Sequence, residues 1–381
     1  MILEGEMGGY KKNMSKSEVK NKMVKEKLVF DVAFCGLLRM PELLKKSISS
    51  IVPLRKSGII NRIIFSTWKG EISKNAPEMY DFLKKNNVVL IESEEPKDPG
   101  KGSIWCQMKS LEVVLDYIEP DRFLLRTRTD AYISPEFLRK IHNNPEVFKI
   151  TDNLPGGNLF QFKIWVPWYE LTVPMYLADE CFMGQCKDMR FLINYDNMYD
   201  TKYVMRNGPT HVRRFIHPFL EKFPILYESM EKYNKESKAR TWVRLFSRKV
   251  FDLERFNMIR KIDKIGKFKV LKNKVKNDSY IKCLAAYYLI LNSHFYIDGK
   301  SVPNMIEFKE PSTPGIDLDE KNLDNNFSEK KSRFEFGGRI YAYDDKLIKN
   351  IFLRKIEKTY FSDRLYKEIE KLKNSSTEKV I

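Results

Sequence analysis

Leu28-Val29-Phe30-Asp31-Val32-Ala33-Phe34-Cys35-Gly36 is a near-continuous apolar run that ends in glycine. That is the pattern of a parallel strand buried on both faces of a sheet. The residues after it repeat the theme. A helical stretch lies around Glu42–Val52, and Ile63-Ile64-Phe65-Ser66-Thr67-Trp68 reads as a second strand. Ala76–Asn86 reads as helix and Val88-Val89-Leu90-Ile91 as a third strand. Ser103–Ile118 then reads as helix and Arg122–Thr129 as a fourth strand. Strands alternating with helices at this spacing predict an α/β domain with a mostly parallel sheet. Ligands of such sheets lie outside the carboxyl ends of the strands. The residues just after each strand are therefore the ones to read for chemistry.

The fourth strand runs Phe123-Leu124-Leu125-Arg126-Thr127-Arg128-Thr129-Asp130. Strand side chains alternate, so Arg126, Arg128 and Asp130 are expected on one face. Three ionised groups on a central strand cannot be buried unpaired. They pair with one another, as a structural ladder, or they line a wet cleft. Asp130, at the strand end, is a candidate ligand for a divalent cation, Mn or Mg. The two arginines are candidates to neutralise a diphosphate.

The helix before this strand carries a core stripe at Ile104, Met108, Leu111, Leu115 and Ile118. A separate polar line runs Ser103, Gln107 and Ser110, with Ser103 placed as an N-cap. Before it stands Gly100-Lys101-Gly102, a helix start that could offer N–H groups to phosphate or be an ordinary capped loop. Its spacing is not that of a Walker A loop. After the second strand, Ser66-Thr67-Trp68 could hydrogen-bond and stack on a nucleobase, or Trp68 could be core. Arg39 follows the first strand and is a further cleft candidate. Asp179 and Glu180 sit in the apolar setting Tyr176-Leu177-Ala178-Asp179-Glu180-Cys181-Phe182. A carboxylate so placed can act as a general base, with Asp179 the expected base and Glu180 its rival, or simply stand at a helix N-terminus.

Ile64 to Trp68, Gln107 with Ser110, Arg126-Thr127-Arg128-Thr129-Asp130 and Asp179 to Gly184 occur in the order in which similar blocks stand in the WavE lipopolysaccharide synthesis family. The chain resembles that family, assigned to glycosyl transfer in bacterial surface polysaccharide, over roughly residues 28–225. The resemblance implies a glycosyltransferase A-type fold: a Rossmann-like mixed sheet holding a nucleotide-sugar, with an aspartate motif for metal and diphosphate. Asp130 would occupy that motif. The usual motif is Asp-x-Asp, and here Arg128 stands in its first place, so the arginines could do part of the cation's work.

The rest of the chain divides by composition. Residues 1–27 are polar and lysine-rich and read as a leader. Residues 28–230 are assigned to the catalytic domain. Its later part crowds aromatics, Phe160, Phe162, Trp165, Trp168, Tyr169 and Phe182 among them, and is the expected acceptor side. Residues 231–300 read as a basic helical region, 301–335 as a linker and 336–381 as a helical C-terminal segment. Residues 231–276 hold 16 Lys/Arg against 5 Asp/Glu, so most of the overall +17 is concentrated there. An apolar residue at every third position, with Gly266 between, predicts two short helices. Their basic sides would rest on an anionic membrane surface, or be only a solvated face.

Composition also excludes. At 43% apolar and 31% charged the chain can build a core. No apolar run approaches a transmembrane span, and Cys283–Leu291 reads as a buried helix. Five scattered cysteines form no Cys-x-x-Cys pair, and the four histidines no His-x-x-x-His pair. With no apolar signal segment at Met1, the expected location is cytoplasmic. The function expected is transfer of a sugar from a nucleotide-sugar donor to a glycan or lipid-linked acceptor. One rival is a sugar-nucleotide nucleotidyltransferase, which needs a glycine-rich basic loop where Cys35-Gly36-Leu37-Leu38-Arg39 stands. Another is a nucleic-acid-binding protein using residues 231–276, for which no recognition motif is present.

Overall fold

The computed structural model describes residues 27–99, 103–170, 177–193, 215, 217–220, 222–226, 278–298, 333–336, 339–342, 348–349, 352–353 and 360–374. In chain order these give β1 (Phe30–Cys35), α1 (Pro41–Lys56), β2 (Ile60–Trp68), α2 (Glu71–Asn75), α3 (Met79–Lys85) and β3 (Val89–Ser93). Next come α4 (Ile104–Tyr117), β4 (Phe123–Arg128), α5 (Pro135–Asn143), β5 (Ile164–Val166), β6 (Tyr169–Glu170), β7 (Cys181–Gln185) and α6 (Cys186–Arg190). The C-terminal part supplies α7 (Asp278–His294), β8 (Phe295–Ile297), β9 (Arg333–Phe336), β10 (Arg339–Ala342) and α8 (Tyr360–Asn374).

Seven strands form one mixed, mostly parallel sheet in the order β3-β2-β1-β4-β7-β5-β8. β3, β2, β1 and β4 run parallel, and β7 alone is reversed between β4 and β5. Every residue of β1 is buried, as the apolar run requires of a central strand covered on both sides. α1 starts with proline at its first turn, where a missing N–H costs nothing. Its buried Leu44, Ile48, Ile51 and Leu54 are spaced three and four apart and cover one face of the sheet together with α3 and α5. α4 and α7 cover the other face, with Leu365 and Ile369 of α8 in the same core.

Chain order and sheet order diverge at β1. The chain steps outward from β1 to β2 to β3, then returns through α4 to β4 on the other side of β1. Such a reversal opens a crevice at the carboxyl ends of the two central strands. The loops after β1 and β4 line it.

The helices fall close to expectation, with α1 a turn longer than Glu42–Val52 and α3 shorter than Ala76–Asn86. One expectation is corrected. Ser103 does precede α4, but its backbone is left-handed (φ 55°) and its hydroxyl makes no capping bond. The region expected to be basic helix ends in α7, which carries Cys283–Leu291, buried and helical as its apolar run predicts. α7 and β8 complete the sheet and core begun by residues 28–193. Within 301–381, β9 and β10 pair antiparallel, and β10 pairs antiparallel with β6. The helical C-terminal segment expected is represented among the described residues by α8 (Tyr360–Asn374). The leader up to residue 26, Gly100–Gly102, residues 171–176 and the basic run 231–276 lie outside the described residues.

Candidate functional site

Three loops interlock at the carboxyl ends of the central strands. The Gly36 N–H donates to the Ser66 carbonyl at 3.0 Å. The Leu38 N–H donates to Glu71 Oε1 at 3.0 Å. The Thr129 hydroxyl donates to the Leu37 carbonyl. The loop after β1 is thus tied to the loops after β2 and β4. Gly36 makes its turn at φ 123°, a conformation side-chain-bearing residues rarely adopt. Arg39 rides on this loop, exposed, and its charge reaches Asp130.

Arg128 and Asp130 form a bidentate pair across the turn that ends β4. Arg128 Nε donates to Asp130 Oδ1 at 2.7 Å and Nη2 donates to Oδ2. Burial works to raise the Asp130 pKa, but the bonds from Arg128, its charge and that of Arg39 together hold the carboxyl below its ordinary value. Burial likewise works against the Arg128 charge, and Asp130, Glu180 and Asp179 more than offset it.

Arg126 has a different task. It is 2% exposed, so its guanidinium cannot lie in an open cleft. Its Nη1 donates to the Asp179 carbonyl at 2.6 Å and to the Glu180 carbonyl at 3.5 Å. The guanidinium lies 5.5 Å from the centre of the Phe182 ring. The Arg128 N–H adds a bond to the Glu180 carbonyl at 3.2 Å. β4 therefore grips the two-residue step by which the chain enters β7. Arg126 Nε is buried with no hydrogen-bond partner among the described residues.

This grip sets two carboxylates beside the Arg128–Asp130 pair. Asp179 is 8% exposed. Glu180 is partly exposed as a residue, but its Oε2 is sealed from solvent and has no hydrogen-bond partner among the described residues. Burial first, and then the Asp179 charge, push the Glu180 pKa up to about 7, against the pull of Arg128 and Arg126. A carboxyl poised near neutrality can take up or release a proton there.

The remaining expected residues divide between the two faces. Cys35 lies in register with Ser66 and with Arg128, and Ala33 with Arg126. Partners in register share a face, so Ser66, Trp68, Arg126 and Arg128 look toward α4, and Thr67 looks the other way. The Ser66 hydroxyl confirms this by donating to the Ser110 carbonyl at 3.2 Å. Ser110 is buried in that seam, and its own hydroxyl donates to the Gln107 carbonyl at 3.0 Å. Trp68 is buried as well, and Gln107 is half-buried. Thr67 is fully buried, its Oγ1 without a partner among the described residues. The structure thus brings together Arg39, Arg126, Arg128, Asp130, Asp179 and Glu180, and sets Ser110 and Trp68 in the packing beneath them. Glu71 was not legible as a site residue, nor were the roles of Thr129 in tying two loops and of Phe182 in backing Arg126. Gly36 and Gly70, both at positive φ, were the only local signals that these loops are shaped.

The divalent cation that the resemblance places at Asp130 does not fit these residues. Both carboxylate oxygens accept from Arg128. No group of three His, Cys, Asp or Glu among the described residues is arranged to hold a metal ion.

No family model matches the chain, and no curated protein matches it. Among solved structures it is similar to mouse xyloside xylosyltransferase 1 in its apo form, at 8% identity and a TM-score of 0.33, over 52% of this chain and 83% of that one. A superposition of that quality transfers neither architecture nor activity.

Proposed function

We propose that the chain is a glycosyltransferase of the WavE kind, with a glycosyltransferase A-type fold, that moves a sugar from a nucleotide-sugar donor to a cell-surface polysaccharide or lipopolysaccharide precursor. One observation carries the reading. An arginine–aspartate pair and two further carboxylates converge at the carboxyl ends of β4 and its neighbours, beside the point where the sheet order reverses. Sugar transfer needs both sets of groups. The bond from the anomeric carbon to the diphosphate breaks, and the leaving oxygens gain negative charge that fixed cations stabilise. The acceptor oxygen bonds to that carbon and its proton passes to a carboxylate. Arg128, with Arg39, serves the first need and Asp179 or Glu180 the second. Arg126 holds that pair of carboxylates in place. The acceptor lies toward the aromatic segment 160–182.

The nucleotidyltransferase alternative asks the loop after β1 to offer its N–H groups to phosphates. Here the Gly36 and Leu38 N–H groups already donate, to a carbonyl and to the Glu71 carboxylate. A carboxylate at that amide also repels the phosphate such a loop would bind. The acceptor and the membrane surface that residues 231–276 would meet belong to the same proposal. No helix among the described residues is long and apolar enough to cross a membrane. The test is incubation of the purified protein with a panel of nucleotide-sugars, following release of nucleoside diphosphate. Slow release from one donor, accelerated by a glycan acceptor, is the expected result. No release from any donor, with no binding of any nucleoside diphosphate, overturns the reading.

A further inference from the structure

We propose that the donor diphosphate is bound by Arg128 without a divalent cation, and that Asp130 is a positioning residue for that arginine rather than a metal ligand. The inference rests on the nucleotide-sugar reading above and names the device that neutralises the leaving group. Asp130 presents both oxygens to one guanidinium edge, Nε to Oδ1 and Nη2 to Oδ2. A cation entering there has to displace a bidentate, charge-assisted pair whose carboxylate side chain is only 10% exposed. No group of three His, Cys, Asp or Glu among the described residues is arranged to hold the ion and repay that loss. The residue two before Asp130, where an acidic motif would place its other carboxylate, is Arg128 itself.

The same geometry suits phosphate. The Arg128 side chain is 29% exposed at the carboxyl end of β4, so it reaches solvent while Asp130 fixes its plane. A guanidinium is a planar set of donors that matches phosphate geometry, and it stays charged at every working pH. Arg39 adds a second, exposed cation on the adjoining loop. The loop itself is locked by Glu71 and Thr129, so the two cations face one crevice rather than drift apart.

The experiment uses the full chain and titrates UDP, GDP, CDP and ADP by calorimetry, once in excess EDTA and once in excess MnCl2. One diphosphate should bind with the same affinity, within about twofold, in both buffers. Free Mn2+, followed by its electron paramagnetic resonance signal, should not be taken up by the protein alone. Losing charge-assisted hydrogen bonds should make Arg128→Gln weaken binding in EDTA by about tenfold or more. Asp130→Asn should weaken it less, and Asp130→Glu should restore part of it, which a metal-ligand or a purely structural role does not predict in chelator. Thermal unfolding checks each variant. Should Arg128→Gln not fold, Arg128→Lys, which keeps charge but loses the fork, is expected to show the same loss in smaller measure. Binding seen only with MnCl2, and abolished by Asp130→Asn, overturns the inference while leaving the donor reading intact. No diphosphate binding in either buffer overturns both.

Discussion

Glu180 keeps its proton to about pH 7 because burial and the Asp179 charge both resist a second negative charge there. A general base must be ionised before it accepts a hydroxyl proton. If Glu180 is that base, transfer should rise as pH climbs through about 7, and Glu180→Gln should lose both the rise and most of the rate. Asp179→Asn should then be the milder change. A pH profile with no rise near 7 and the opposite ranking of variants returns the role to Asp179. The same shift has a consequence for stability, with a definite sign. Between the ordinary value of 4.5 and about 7 the folded protein binds a proton at Glu180 that the unfolded chain has released. Stability must therefore fall as pH rises through that window. Glu180→Gln removes this fall, so the variant should gain on the parent above pH 7 and match it near pH 4. Urea unfolding at the two pH values measures the difference. Asp188, raised to about 6 by burial, contributes a fall of the same sign that the variant leaves in place.

Strand alternation was enough to single out Arg126 and Arg128, since two arginines on a central strand have to be accounted for. It could not say that Arg126 would be spent on carbonyls 53 and 54 residues further along the chain. It also ceases to apply at Asp130, which lies past the end of β4. Ser110 shows the same limit for helices. Its spacing from Gln107 defines a polar line, but spacing does not say whether that line meets a cleft or the underside of the sheet. Arg126→Lys tests the positioning role. A lysine keeps the charge but replaces the planar guanidinium, which bonds the carbonyls through Nη1 and lies by the Phe182 ring, with a flexible ammonium. Lower turnover with donor binding kept within about twofold is expected, because the carboxylates lose their support and the donor cations do not. Equal losses in both would make Arg126 a donor ligand.

At the scale of elements, the parallel half of the sheet was legible because buried parallel strands announce themselves as short apolar runs between helices. β5, β7 and β8 were not, being three to five residues long and paired with partners far away in sequence. The reversed direction of β7 has no sequence signature at all, and it is what delivers Asp179 and Glu180 to the carboxyl end of β4. The loop after β1 depends on a carboxylate from the start of α2. Glu71→Ala leaves the partly buried Leu38 N–H without its acceptor, a loss of about 1–3 kcal/mol. The effect should be local. Hydrogen exchange should show the Leu38 amide losing protection, with the amides of β1 keeping theirs. Loss of protection along β1 as well would mean the clamp supports the sheet and not the loop alone.

For the whole molecule the question is whether the C-terminal part is an appendage or a part of the catalytic fold. Composition divided the chain at residues 230, 300 and 335, because the charge excess and the proline-rich polar run dominate those stretches. Packing follows a different logic. Tyr287, Tyr288 and Ile290 of α7 are fully buried in the same core as Met108 and Leu111 of α4. β8 pairs with β5 inside the sheet. Leu365 and Ile369, on one side of α8, are 1% and 0% exposed in that core. They are four residues apart, which places them one turn above the other against α7. Truncating a buried aliphatic side chain to alanine costs about 2–5 kcal/mol, comparable for two such sites with the whole stability of an ordinary domain. The double variant Leu365→Ala, Ile369→Ala should therefore lower the melting temperature of the entire cooperative transition and abolish nucleoside diphosphate binding on the same curve, though neither residue lies at the strand ends where the donor would sit. A separate early transition that leaves diphosphate binding unchanged would instead make α8 a detachable unit, and the division read from composition the physical one.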